Sequence, residues 1–395
     1  MITRHLAPKL KEVAAKNPVI TLTGPRQSGK TTLLKHTFPH YDYVSLEEPD
    51  ERAYALKDPR GFLSRFFNQV IIDEAQRVPH LFSYIQTIVD TDDMPGRFIL
   101  SGSQNFLLLH GISQSLAGRS SILHLLPFCK RELTNHPILT TQRLFNNKTL
   151  SSNQDLFNIM TTGFYPRIHD KHLNPHEWLA DYFQTYIQRD VRDLINVGDT
   201  ESFIRFVKLC AGRAGQLLNL SSLGADCGIS HTTAARWLSL LESSFIIFRL
   251  MPHHQNFSKR LIKSPKLYFF DCGLLCYLLR IKDPEDLRIS PYRGAIFENF
   301  CIAEFIKSAY NQKLEPNLFF WRDSSGHEID MLIEQANFLL PFEIKSSETF
   351  NESFINNLTY WINLAKNQNK QAAILYGGSK RMNYKGIDVI PWLML

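Results

Sequence analysis

Eight consecutive residues, Gly24-Pro25-Arg26-Gln27-Ser28-Gly29-Lys30-Thr31, carry the most specific chemistry in the chain. They match GxxxxGK[ST]. The glycines let backbone N–H groups turn inward around phosphate oxygens, and a helix start behind them adds its positive dipole end. In such a loop the lysine reaches the outer phosphates and the last hydroxyl ligates a divalent metal. The ligand expected is ATP with Mg2+, held by residues 24–31 and Thr32.

A second set lies downstream. Val70-Ile71-Ile72-Asp73-Glu74 is an apolar run ending in two acids. A buried strand that ends this way puts its carboxylate at the sheet edge beside the phosphate loop. Asp73, with Thr31, is the expected metal holder, and Glu74 the acceptor of a proton from attacking water. A further strand-like run, Arg97 to Ser101, leads into Gly102-Ser103-Gln104-Asn105, whose polar side chains suit orientation of that water.

A third set is C-terminal. Glu343 and Lys345 flank Ile344, so on a strand they share one face. The turn residues Gln335-Ala336-Asn337 would fold that strand back beside Asp330, with Glu298 arriving from a helix. Two carboxylates and a lysine in that arrangement suit metal-dependent phosphodiester cleavage. The same spacing also describes a cross-strand acid–lysine pair on a solvated sheet face.

The elements that must position these groups follow from hydrophobic pattern. In the first third, short apolar runs at Val19–Leu22, Tyr41–Leu46, Gln69–Asp73, Arg97–Ser101 and Ile122–Leu126 alternate with helical patterns such as Leu81-Ile85-Ile88-Val89. Continuous apolar strands between helices predict a parallel sheet covered on both faces. From about 150 to 255 the pattern is helical. Beyond that, strand-like runs return at Leu267–Phe270, Leu318–Arg322, Ile329–Glu334, Phe338–Ile344 and Gln371–Tyr376.

In the middle, Ser221 to Ser230 reads as a short helix and turn, with Ser222 as its cap and Gly228 as its stop. A second helix over His231 to Glu242 and a strand over Ser243 to Leu250 complete the outline of a winged helix-turn-helix. Its outer face would show His231, Thr232, Ala235, Arg236 and Ser239, with Lys259, Arg260, Lys263 and Lys266 following. That footprint permits DNA contact, and equally a packing or dimerisation role.

Composition sets outer limits. The chain has 395 residues, 44% hydrophobic and 21% charged, which is globular composition and enough for two to four domains. The net charge of +6 allows a phosphate-bearing partner without requiring one. The six cysteines, at 129, 210, 227, 272, 276 and 301, show no zinc spacing and read as reduced thiols of a cytoplasmic protein. No apolar run approaches membrane-spanning length, and the start of the chain reads as an amphipathic helix, not a leader.

Taken in order, the phosphate loop, the Asp73–Glu74 strand and the polar strand end resemble an AAA-superfamily ATPase. The resemblance implies that Asp73 and Glu74 are its Walker B pair, that Gln104 or Asn105 is its sensor, and that an arginine acts across a subunit boundary. Arg119 is the first choice for that arginine and Arg189 the second, and a homo-oligomer would follow. Further phrases resemble a widespread prokaryotic family in which this ATPase is fused to a C-terminal domain of unknown function. They include Ser115-Leu116-Ala117-Gly118-Arg119, Gly163-Phe164-Tyr165-Pro166 and Ser264-Pro265-Lys266-Leu267-Tyr268. The C-terminal acids resemble the PD-(D/E)xK nuclease fold, with Asp330, Glu343 and Lys345 on its core motif and Glu298 as its helical acid.

The expected fold class is therefore α/β: an AAA-type parallel-sheet domain over 1–145, a helical connector over 146–200, a winged helix over 201–255, and a restriction-endonuclease-like α/β domain over 256–395. Three functions compete: an ATPase switch whose C-terminal half recognises a macromolecule, an ATP-regulated nuclease, and a nucleotide-responsive DNA-binding regulator. DNA is favoured over RNA as the nucleic-acid partner.

Overall fold

The computed structural model describes residues 2–103, 115–146, 154–186, 200–253, 263–335, 338–365 and 371–395. Five strands form the N-terminal sheet: β1 (Val19–Thr23), β2 (Asp42–Ser45), β3 (Val70–Asp73), β4 (Phe98–Gly102) and β5 (Ser120–His124). Their spatial order is β2-β3-β4-β1-β5, and every pairing is parallel. The alternation of side chains across each strand divides the core into two layers. Ile20, Leu22, Ile71 and Ile99 pack under helices Leu6–Ala14 and Lys30–Thr37. Val19, Val70, Ile72, Phe98 and Leu100 pack under helices Pro59–Ser64 and Leu81–Thr91.

The fifth strand starts two residues earlier than its apolar run implies. It pairs with β1 from Val19↔Ser120 to Thr23↔His124, and the chain of β1 departs at Gly24. Leu125 N closes the ladder by donating to Thr23 O at 2.8 Å, and Leu126 lies beyond it.

The second sheet has eight strands, in the order β12-β13-β11-β10-β9-β8-β6-β7. These are β6 (Ile247–Pro252), β7 (Lys266–Phe269), β8 (Leu318–Arg322), β9 (Glu328–Gln335), β10 (Phe338–Lys345), β11 (Ala373–Tyr376), β12 (Met382–Tyr384) and β13 (Ile387–Pro391). The position 255 falls between β6 and β7, which pair antiparallel, and β6 also pairs with β8. The strands after the helix pair thus belong to the same sheet as the C-terminal strands. One apolar core, from Leu126 to Leu395, joins the middle helices to that sheet. Its central column is helix Arg293–Asn311, which buries Phe297, Phe300, Ile302 and Phe305.

The middle helix pair is Leu220–Cys227 and His231–Ser243. The first is capped by Asn219, whose side chain accepts from Ser222 N, so Ser222 is inside the helix and not its cap. Gly228 ends it in the left-handed region, at φ 72°. Among the described residues no helix is long and apolar enough to cross a membrane. All six cysteines are buried and unbridged.

The two cores meet at His124, at the end of β5. Its ring lies 5.4 Å from Phe245 and 5.3 Å from Tyr310, and its Nδ1 is buried without a hydrogen-bond partner. Burial holds the imidazole down to about 4, against an ordinary 6.5. A lowered histidine stabilises the fold above its unfolded value and loses that contribution as pH falls through 6.5 towards 4. Between pH 7.5 and 5 the loss should be about 2 kcal/mol. Because Glu298 and Glu343 titrate over the same range with opposite sign, the check is urea unfolding of the protein and of His124→Phe at both pH values, with their stability difference expected to change by about 2 kcal/mol.

Candidate functional site

Gly24 leaves β1 at φ 152°, and a Cβ there would lie 2.1 Å from the Leu125 carbonyl oxygen. Only glycine fits. Gly29, at φ 89°, then turns the chain into helix Lys30–Thr37. Lys30 is buried, and its Nζ donates to the carbonyls of Gly24 at 3.0 Å and Pro25 at 2.9 Å.

The order of the strands brings the acids to this loop. Since β4 lies between β1 and β3, the ends of all three converge. Asp73 accepts four bonds there. Its Oδ2 takes Thr31 Oγ1 at 2.6 Å and Tyr43 OH at 3.0 Å, and its Oδ1 takes Ser101 Oγ at 2.5 Å and Glu74 N at 3.1 Å. Burial, reinforced by the Asp73 charge, pushes the Tyr43 phenol well up. The carboxylate and the Thr31 hydroxyl form an oxygen pair at hydrogen-bond distance, a donor set that fits a small hard cation such as Mg2+.

Glu74 sits in the left-handed region at φ 53°, ψ 40°. Its Oε2 accepts from Gln76 Nε2 at 2.5 Å and from Ser103 Oγ at 3.4 Å. Glu74, Ser103 and the phosphate loop line one cavity of about 860 Å³. Helix Pro166–Lys171 also lines it, through Pro166, Arg167, His169, Asp170 and Lys171, together with Tyr182 and Tyr186. Ile2, Arg4 and Phe128 also line it.

Several of these groups were not legible in the sequence: Tyr43, Ser101, Gln76, Arg4 and Arg167. The phrase Ser101-Gly102-Ser103 and the motif ending at Pro166 were the available signals. Gln104, Asn105 and Arg189 lie outside the described residues. Arg119 does not line the cavity. Its guanidinium grips Asp90, through Nε to Oδ1 and through Nη2 to Oδ2 at 3.0 Å.

At the C-terminal set, β9 and β10 pair antiparallel with Phe342 opposite Met331, which sets Glu343 beside Asp330. Ile344 N donates to Asp330 Oδ2 at 2.7 Å. Lys345 Nζ lies 3.7 Å from Asp330 and 3.5 Å from Glu343. Burial and then the Asp330 charge push the Glu343 carboxyl up to about 9. Burial works against ionisation of Asp330 too, but the charges of Lys345 and Lys266 and the hydrogen bonds from Glu343 and Ile344 N together outweigh it and hold that group below its usual range. Glu298 joins from helix Arg293–Asn311, where Lys266 Nζ, at 3.0 Å, and Tyr268 OH, at 2.5 Å, both reach its Oε1. Burial pushes Glu298 up to about 7, against the pull of Lys266. From sequence, Lys266 falls in the basic stretch after the helix pair. It is buried in this cluster instead, which removes it from any phosphate-facing surface.

Comparison with known proteins adds the following. An uncharacterized protein of Mycobacterium tuberculosis, Rv2008c, is 32% identical over 350 residues, covering 88% of this chain and 74% of that protein. Its Mycobacterium bovis counterpart, Mb2031c, matches to the same extent. The chain belongs to their family. Residues 16–134 match an AAA domain. Residues 153–285 and 293–395 match two domains of unknown function, DUF8612 and DUF4143. Among solved structures, a Walker-type ATPase of Pyrococcus abyssi is 14% identical, with a TM-score of 0.44, over 71% of this chain and 96% of that one. The Holliday junction branch migration motor RuvB of Thermotoga maritima is 18% identical, with a TM-score of 0.29, over 63% of this chain and 90% of that one. The match over residues 16–134 identifies the N-terminal unit as a P-loop AAA ATPase domain.

Proposed function

We propose that the protein is a magnesium-dependent ATPase whose nucleotide state sets the arrangement of a macromolecule-recognising C-terminal half. The observation that carries this reading is the shared cavity. The phosphate loop of the AAA domain lines it, and so does a helix whose Ile168 belongs to the core that runs to the C-terminal sheet. A change in phosphate occupancy is therefore felt by both cores.

In this reading Lys30 neutralises the outer phosphates, Thr31 and Asp73 hold Mg2+, and Glu74 accepts the proton of water. Bound magnesium supplies charge neutralisation at the phosphates. Gln76 and Ser103 fix the Glu74 carboxylate. Arg167, exposed at the cavity wall, supplies the cation that completes phosphate binding. Arg167→Ala should lower kcat/KM for ATP about 10²-fold, the usual loss for one charged donor. Arg119→Ala should stay within about twofold, since an exposed arginine held by a local acid contributes little. Steady-state ATPase assays on the two variants check the assignment, and a loss of about 10³-fold in the second would restore Arg119 as an arginine acting between subunits.

The nuclease reading draws support from the convergence of Asp330, Glu343, Lys345 and Glu298. The DNA-regulator reading rests on the exposed face of helix His231–Ser243, where Arg236 is the sole arginine or lysine. One set of reactions separates the three: ATPase rate with and without DNA and RNA, with the nucleic acid inspected for cuts in the same tubes. Stimulation without cleavage supports the proposal. Cleavage lost in Asp330→Ala and Lys345→Ala establishes the nuclease.

A further inference from the structure

The C-terminal carboxylates would need to accept a divalent cation if the resemblance to PD-(D/E)xK nucleases extended to chemistry. Their surroundings do not fit one. Lys266 Nζ bonds Glu298 Oε1 at 3.0 Å and also reaches Glu328 Oε1. Tyr268 OH donates to the same Glu298 oxygen. Arg322 takes the second oxygen of Glu328 at 3.0 Å. Lys345 spans Asp330 and Glu343. Three cations therefore already lie among the four carboxylates, although Glu343 Oε2 is buried without a hydrogen-bond partner.

Lys266 cannot easily yield. Its side chain is 3% exposed. Its backbone is fixed from two sides, opposite Leu250 of β6 and bridged to Leu217. Gly215, at φ 77°, brings the chain within 3.6 Å of Glu298 Oε2, measured from where its Cβ would stand. A doubly charged ion seated on Glu298 would lie within a few ångströms of an ammonium group and be repelled by it. Stripping the ammonium of its carboxylates in a buried site carries a further cost.

We infer that Lys266 is the resident cation of this cluster: it excludes a divalent metal and clamps β7, the second strand after the helix pair, to the helix and sheet of the C-terminal half. The lysine reaches Glu298 on helix Arg293–Asn311 and Glu328 on β9, so one side chain ties three elements together.

The test is a Mn2+ titration of the full chain without nucleotide, read by electron paramagnetic resonance of free Mn2+. All proteins carry Asp73→Asn to silence the other metal position. With Lys266 in place, no binding that Asp330→Asn removes is expected at millimolar Mn2+. Lys266→Met should gain one site at least about tenfold tighter, lost again in Lys266→Met/Asp330→Asn. If the Lys266 protein binds one Mn2+ that Asp330→Asn abolishes, the inference is overturned whatever the variants do. It is also overturned if Lys266→Met folds by circular dichroism yet gains no site. Should that variant unfold, Lys266→Gln, which keeps a polar head without the charge, makes the same comparison.

Discussion

Glu74→Gln should lower kcat for ATP about 10²- to 10⁴-fold, the range expected when a general base is removed. ATP affinity should change by less than about threefold, because the loop and Lys30 are untouched. The substitution is nearly isosteric. The amide oxygen can still accept from Gln76 and Ser103, so the side chain keeps its place at the cavity and loses only its ability to take a proton. Nucleotide binding by fluorescent-analogue titration and turnover by phosphate release give the two quantities. A fall in affinity comparable to the fall in kcat would mean that Glu74 holds nucleotide and does not activate water.

Glu132→Ala should destabilise the protein by about 3–5 kcal/mol, the cost of leaving a buried cation without its partner. Glu132 has no exposed side-chain surface, and Arg4 is 5% exposed. The carboxylate accepts from Arg4 Nε at 3.1 Å, His5 N at 2.7 Å and Cys129 N at 2.9 Å. Arg4 also donates to the carbonyls of Ser28 in the phosphate loop and Leu126 after β5. Next in the chain, Lys130 N donates to Glu304 of helix Arg293–Asn311 at 2.7 Å, and Lys307 of that helix donates to Phe128 O. The loss therefore falls where the phosphate loop, the chain after β5 and the central helix are tied together. Denaturant unfolding measures it. Glu132→Gln, which keeps acceptor capacity without charge, should recover part. A loss below about 1 kcal/mol would show that the network is dispensable.

How much was legible in sequence depended on how local each feature is. The phosphate loop is eight adjacent residues with a strand before and a helix after, so its geometry follows from neighbours alone. Asp73 and Glu74 could be placed because a buried parallel strand has one functional end. Ser101 and Tyr43 could not be paired with Asp73, because those contacts depend on β4 and β2 flanking β3, a spatial order that apolar runs do not encode. Lys266 shows the same limit for charge. Among Lys259, Arg260 and Lys263 it reads as part of a basic surface, yet its neighbours in space are Glu298 and Glu328. Lys130-Arg131-Glu132 is a run of three charges, yet all three are buried, the first two against the C-terminal residues: Lys130 Nζ reaches Leu393 O at 2.7 Å, and Arg131 Nη2 reaches Met394 O at 2.5 Å. In each case contacts distant in sequence decide between a solvated charge and a buried one.

A nucleotide bound at Gly24–Thr31 should be felt in the C-terminal half. Amide hydrogen exchange on the Glu74→Gln protein with ATP, with ADP and without nucleotide tests it most directly. ATP is expected to change protection in helix Pro166–Lys171, which lines the cavity with the loop, and also in helices Leu220–Cys227 and Arg293–Asn311. Changes confined to the loop and helix Pro166–Lys171, with identical exchange beyond residue 200 in all three states, would contradict it.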